Sequence, residues 1–142
     1  MKLAQSLALI ISASFAIPFA LADFHIVLVD GVNGGELFAC PSDYYNCDCF
    51  VNGNRRADVT VGGSEIRSLP EGFFSVASGL CGLEQLDFYE QSDGSWDIYE
   101  ENGDGSLQGT CNSNSAFRSC AATGSVSIYD ELVCFSYICN PT

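Results

Sequence analysis

Leu132-Val133-Cys134-Phe135-Ser136-Tyr137-Ile138-Cys139 is the stretch that decides the fold class. Read as a strand, it places Leu132, Cys134, Ser136 and Ile138 on one side and Val133, Phe135, Tyr137 and Cys139 on the other. Apolar residues on both faces predict a strand covered on both sides. The alternation also turns Cys134 and Cys139 in opposite directions, so they are expected to bridge to different elements.

Working outward, similar apolar, β-branched or alternating runs occur at Phe24 to Val29, Ala57 to Val61, Phe73 to Ala77, Leu83 to Tyr89, Trp96 to Tyr99, Leu107 to Cys111 and Ser125 to Tyr129. Turn formers lie between them: Asp30-Gly31, Asn33-Gly34-Gly35 and Gly62-Gly63. Asn52-Gly53-Asn54 and Asn102-Gly103-Asp104-Gly105 read as hairpin turns. Short strands at this spacing predict an all-β domain, a single compact disulfide-stapled barrel or sandwich with at most a short helical turn. That turn is placed at Ser64 to Leu69, with Ser64 as cap and Pro70 as stop. Leu80 to Gln91 also has helical spacings, and the strand reading is preferred there.

The first 22 residues read differently. Lys2 gives a positive start, an apolar stretch runs from Leu7 to Phe19, and Ala20-Leu21-Ala22 has the small-x-small pattern of a cleavage site. Residues 1–22 are therefore expected to be a secretory signal peptide and 23–142 a single disulfide-rich β domain, exported and extracellular. With the leader go the one Lys and the one Met. Arg55, Arg56, Arg67 and Arg118 remain against 18 Asp and Glu. The intact chain already carries a formal charge of −13. Such a balance excludes a nucleic-acid partner, which needs a basic surface, and disfavours anionic membranes; no membrane insertion is expected.

Cys40, Cys47, Cys49, Cys81, Cys111, Cys120, Cys134 and Cys139 all fall after the leader. An even number in a small exported domain predicts up to four disulfides, whose connectivity sequence leaves open. Zinc is the competing use, but the one close pair is Cys47-Asp48-Cys49 and the one His is His25, so no metal site is expected. Cys47 and Cys49 are too close to pair with each other in an extended strand. Cys111 with Cys120 is the local pairing expected, closing a polar loop around Asn112-Ser113-Asn114.

Motifs for chemistry are absent. A single His25 excludes mechanisms needing two, and a phosphate substrate would meet a strongly acidic surface. His25 reads instead as a polar residue near the start of an edge strand. Glu84, Asp87, Glu90, Asp93, Asp97, Glu100, Glu101 and Asp104 offer many carboxylate pairs of the kind a glycosidase uses, but acids this frequent mostly mark wet faces and turns. Counted from Asp93, the sixth and twelfth positions hold Ile98 and Asp104, which fails the calcium-loop pattern. No Gly-x-Ser-x-Gly, Walker or dinucleotide pattern occurs, so neither an enzyme nor a cofactor is expected.

Two sets of residues are candidates for binding. Tyr44, Tyr45, Arg55 and Arg56 are of the types that anchor partners from loops; the alternative for the two tyrosines is packing against the Cys40 to Cys49 segment. Trp96 and Tyr99, with Tyr89 beside them, are candidates for an aromatic carbohydrate platform.

Taken together, Cys40-Pro41-Ser42-Asp43-Tyr44-Tyr45-Asn46-Cys47-Asp48-Cys49, Leu80-Cys81-Gly82-Leu83, Trp96-Asp97-Ile98-Tyr99, Gly103 to Cys111 and Leu132 to Cys139 resemble the small secreted cysteine-rich proteins of filamentous ascomycete fungi. That broad class includes elicitors of the plant hypersensitive response and candidate effectors. The resemblance implies a non-enzymatic protein acting by recognition at the plant surface, on a plant surface protein or a cell-wall polysaccharide. It transfers no functional residue. The alternative function is an extracellular carbohydrate-binding or carbohydrate-active protein using the aromatics near Trp96.

Overall fold

The structure, a computed structural model, describes residues 22–31, 34–52, 55–60, 68–120 and 126–139. The leader, the Gly53-Asn54 and Gly62-Gly63 turns, and most of the turn expected at 64–69 lie outside the described residues. The described residues form nine strands: β1 (Phe24–Gly31), β2 (Gly34–Pro41), β3 (Ala57–Thr60), β4 (Phe73–Val76), β5 (Leu86–Glu90), β6 (Trp96–Glu100), β7 (Gly109–Ser113), β8 (Phe117–Cys120) and β9 (Val126–Ser136). One short helix, α1 (Cys47–Asn52), and 3-10 turns at Ser42–Tyr44 and Leu80–Gly82 interrupt them.

Every strand pairing is antiparallel. β1 to β7 follow one another in order, β9 lies beside β7, and β9 also pairs with β1. The sheet thus closes into an eight-stranded barrel, with β8 lying against the first part of β9. Eight strands enclose a lumen just wide enough for side chains to fill. Phe24, Phe74, Phe88, Trp96, Ile98 and Leu132 fill it here. The Phe74 and Phe88 rings stack at 4.5 Å, and Phe24 meets Phe88 edge-on at 6.2 Å.

β9 unites two runs that sequence separates, Ser125 to Tyr129 and Leu132 to Cys139. Val27 pairs with Asp130 but Ile26 with Leu132, which leaves Glu131 as the extra residue of a β-bulge. The bulge reverses the facing of the strand. Before it, Ile128 joins a cluster outside the barrel; after it, Leu132 and Cys134 point into the lumen. The expectation of cover on both faces therefore needs correction. Val133 and Phe135 are partly exposed, the strand ends at Ser136, and Tyr137 is 65% exposed, because among the described residues no layer covers this part of the barrel from outside.

The outer cluster explains why β1 reads as an unbroken apolar run. Ile26 and Leu28 face the lumen, whereas Val27 packs outside with Phe38, Cys40, Cys49, Phe50, Cys120 and Ile128. α1 and β8 form the covering layer. β1 also lies between β2 and β9, so His25 is on an inner strand and not on an edge. At Gly109 the β7 and β9 backbones come so close that an added Cβ would lie 2.6 Å from the Phe135 carbonyl oxygen. Only glycine fits there without moving a strand.

Four disulfides staple the shell: Cys40–Cys49, Cys47–Cys120, Cys81–Cys139 and Cys111–Cys134. Cys134 and Cys139 do bridge to different elements, and Cys47 and Cys49 do not pair with each other. The Cys111–Cys120 pairing is wrong. Cys111 faces the lumen directly opposite Cys134 across β7 and β9, while Cys120 belongs to the outer cluster. Disulfides in this number are typical of extracellular proteins.

Candidate functional site

The chain places its candidate binding groups at three positions on the outside of the barrel. The first is a polar cluster over β1, beside the apolar outer layer. His25 Nδ1 lies 3.0 Å from Asp130 Oδ2, and Asn114 Nδ2 donates to the same oxygen at 2.7 Å. Tyr45 stacks on the His25 ring at 3.9 Å, meets Phe50 edge-on, and carries the Arg118 guanidinium 4.4 Å above its own ring. Burial, with the Asp130 carboxylate beside it, pushes the Tyr45 phenol well above its ordinary range, while Arg118 opposes the shift. Asp130 acts on this hydroxyl electrostatically, yet neither the hydroxyl nor Asp130 Oδ1 has a partner in hydrogen-bonding geometry. The bulge residue Glu131 is also raised, by burial first and then by Asp130.

These groups brace the outer layer. Asp130 is 2% exposed and gathers residues from β1, β9 and the segment leading into β8. Its replacement by alanine leaves two ring and amide donors without an acceptor, at a cost of about 2–3 kcal/mol. Equilibrium urea unfolding of Asp130→Ala measures this directly. Glu131→Gln is expected to act in the opposite sense. A carboxyl whose folded pKa is raised contributes stability at low pH that is lost as pH rises through the folded value. Glu131→Gln therefore gains stability relative to wild type as pH climbs above the ordinary glutamate value of 4.5. Melting curves across that pH range test the sign.

The second position is a cleft of about 490 Å³ at one end of the barrel. Asp23, Pro41, Tyr44, Arg55, Gly79 and Cys139 are among the residues that line it. Asp23 is buried and accepts hydrogen bonds from Ser136 Oγ and, at 2.9 Å, from the Cys139 amide. At the rim, the Arg55 guanidinium sits 3.9 Å above the ring of Tyr44, which is 36% exposed. Two residues of this cleft hold left-handed backbone that side chains seldom adopt, Arg55 at φ 63° and Cys81 at φ 52°. Backbone strain of this kind collects at ligand sites.

The sequence-derived set thus divides. Tyr44 and Arg55 come together on the cleft. Tyr45 turns to His25, and Arg56 lies over the Phe38 ring at 3.6 Å while donating to the Phe50 carbonyl at 2.7 Å. Both of the latter serve the outer layer.

The third position corrects the aromatic platform. Trp96 is 3% exposed inside the barrel, against Phe74, and presents no face to an external sugar. Tyr99 points the other way, and its ring meets Tyr89 at 5.8 Å, which in turn meets Phe73 at 5.0 Å. Tyr89 belongs with Tyr99 as expected, Trp96 does not, and Phe73 was missed by sequence reasoning. The signal against Trp96 was available: positions 96 and 99 differ by an odd number, so a strand must put them on opposite faces.

Among the described residues, no group of three His, Cys, Asp or Glu is arranged to hold a metal ion. Compared with protein-family models, with curated proteins and with solved structures, the chain matches none. What the fold and site define is an acidic, closed β-barrel with four disulfides and a polar-rimmed cleft.

Proposed function

We propose that the protein is a secreted effector or elicitor that acts by surface recognition at the plant surface, without catalysis, and that the Tyr44–Arg55 pair is its contact point. The observation that carries this reading is the pair itself: an exposed aromatic ring and a cation, held together at the mouth of a cleft, in a chain with very few cations. Aromatic and Arg residues supply a large share of binding energy in interfaces. The disulfides support a role in extracellular fluid, because each constrains the unfolded chain and hinders proteolysis.

Infiltration of the oxidised protein, residues 23–142, into leaves, scored for cell death and oxidative burst, tests the reading. A reduced and alkylated sample is run beside it. A response from the oxidised form alone is the expected result. A response from both would mean that a linear segment is recognised, and silence from the oxidised form across a panel of hosts would overturn the reading.

A further inference from the structure

We propose that the outer face of β4, β5 and β6 is a platform for a glycan carrying free amino groups, a polymer of the glucosamine type. This surface is separate from the Tyr44–Arg55 cleft. Two rows of side chains cross it. Phe73, Tyr89, Asp97, Thr110 and Phe135 stand opposite one another from β4 to β9, and Ser75, Asp87 and Tyr99 form the row beside them. Each tyrosine therefore has a carboxylate directly across the strand pair, Asp97 for Tyr89 and Asp87 for Tyr99. Directly opposed side chains on one sheet face are in contact range.

The rings carry the argument. Phe73 and Tyr89 are 46% and 44% exposed, although burying an aromatic side chain is among the largest apolar gains a fold can make. Their centroid spacings of 5.0 and 5.8 Å are close to the length of one pyranose ring. The apolar C–H face of a pyranose stacks on such rings. An ammonium on the same sugar is attracted by the ring faces and by the carboxylates beside them.

Charge selects the amino sugar. Among the described residues the one contact of a basic with an acidic side chain is His25–Asp130, and Arg55, Arg56 and Arg118 lie over Tyr44, Phe38 and Tyr45, so no described cation balances Asp87 or Asp97. Asp87 Oδ1 is held instead by Ser75 Oγ at 2.8 Å and Gln85 Nε2 at 3.1 Å. An anionic polysaccharide would be repelled. The geometry also argues against two other occupants. The rings are inclined at 46° and 71° to one another, so they do not form the flat plane that a crystalline glycan surface would cover. β4 to β6 are paired on both sides, which leaves no free edge for a peptide to extend.

Calorimetric titration of the oxidised protein with a glucosamine hexamer in mildly acidic buffer tests the proposal. The N-acetylated hexamer and hexalysine are titrated in parallel. The expected result is saturable binding of the glucosamine hexamer, at least about tenfold tighter than either comparator. Tyr89→Leu and Asp97→Asn should each weaken it by about tenfold, Tyr89→Phe should retain it, and Tyr44→Ala should leave it unchanged. Near-ultraviolet circular dichroism checks that each variant is folded, and the Tyr89→Phe and Tyr89→Leu pair separates loss of the ring from loss of the fold. Absence of binding overturns the proposal. So does equal affinity for hexalysine, which would mean charge alone, or for the N-acetylated hexamer, which would mean that the amine is not read. The cleft is unaffected by any of these outcomes, since its own variants are read in a different assay.

Discussion

Replacing Cys47 and Cys120 together by alanine is expected to lower unfolding free energy by about 4.4 kcal/mol, level with about 4.2 for Cys81–Cys139 and above the two shorter-loop disulfides. The bridge spans 73 residues, against 9 for Cys40–Cys49, 58 for Cys81–Cys139 and 23 for Cys111–Cys134. The longer the loop a cross-link closes, the more freedom it removes from the unfolded chain. For Cys40–Cys49 the same relation gives about 2.6 kcal/mol. Structure adds to the difference. Cys47 begins α1 and Cys120 ends β8, the two elements that cover the outer cluster, and this bridge ties one to the other. Urea unfolding of the two double-alanine variants, under oxidising conditions, gives the ranking. An equal loss from both would mean that strand pairing, and not the covalent tie, holds the outer layer in place.

Phe88→Ala should cost about 3–5 kcal/mol. The ring is fully buried, stacked on Phe74 and met edge-on by Phe24, so its removal opens a cavity in a lumen that the strands cannot close around. A closed barrel resists collapse because each strand is hydrogen-bonded on both sides. Tyr89→Ala, one residue along the same strand, should change stability by less than about 1 kcal/mol, because its ring is largely outside. Thermal melts of the two variants compare the faces of β5. Similar losses from both would contradict the assignment of lumen and exterior.

That comparison also shows how far alternation carries a reading of the sequence. Periodicity located β1, β4 and β6 to within a residue or two. It gave no indication of which face is the lumen. Trp96 was read as a platform beside Tyr89 and Tyr99 for that reason, while the exposed ring of Phe73 went unnoticed. β2 was hidden by its own ends, since Gly34-Gly35 and Pro41 are turn signals, yet Leu37 to Cys40 between them is buried. β8 is short and mostly exposed, and pairing with β9 defines it more than its composition does. α1, six residues long, is too short to be stable on propensity alone; disulfides from Cys47 and Cys49 anchor it. The pairing of cysteines depends on which strands meet around a closed barrel, and that is a property of topology. Of the four residues taken as partner contacts, Tyr44 and Arg55 meet across the cleft rim, whereas their neighbours Tyr45 and Arg56 turn to the outer layer. A difference of one position in a loop decides which.

The central claim is that recognition runs through Tyr44 and Arg55, and the most direct measurement is leaf infiltration with the Tyr44→Ala/Arg55→Ala double variant. Both side chains are on the rim and outside the two buried clusters, so the variant should keep the wild-type circular dichroism and melting curve. Infiltrated beside wild type and beside Tyr89→Ala, it is expected to lose the cell-death response while Tyr89→Ala keeps it. A folded double variant with the full wild-type response would contradict the account.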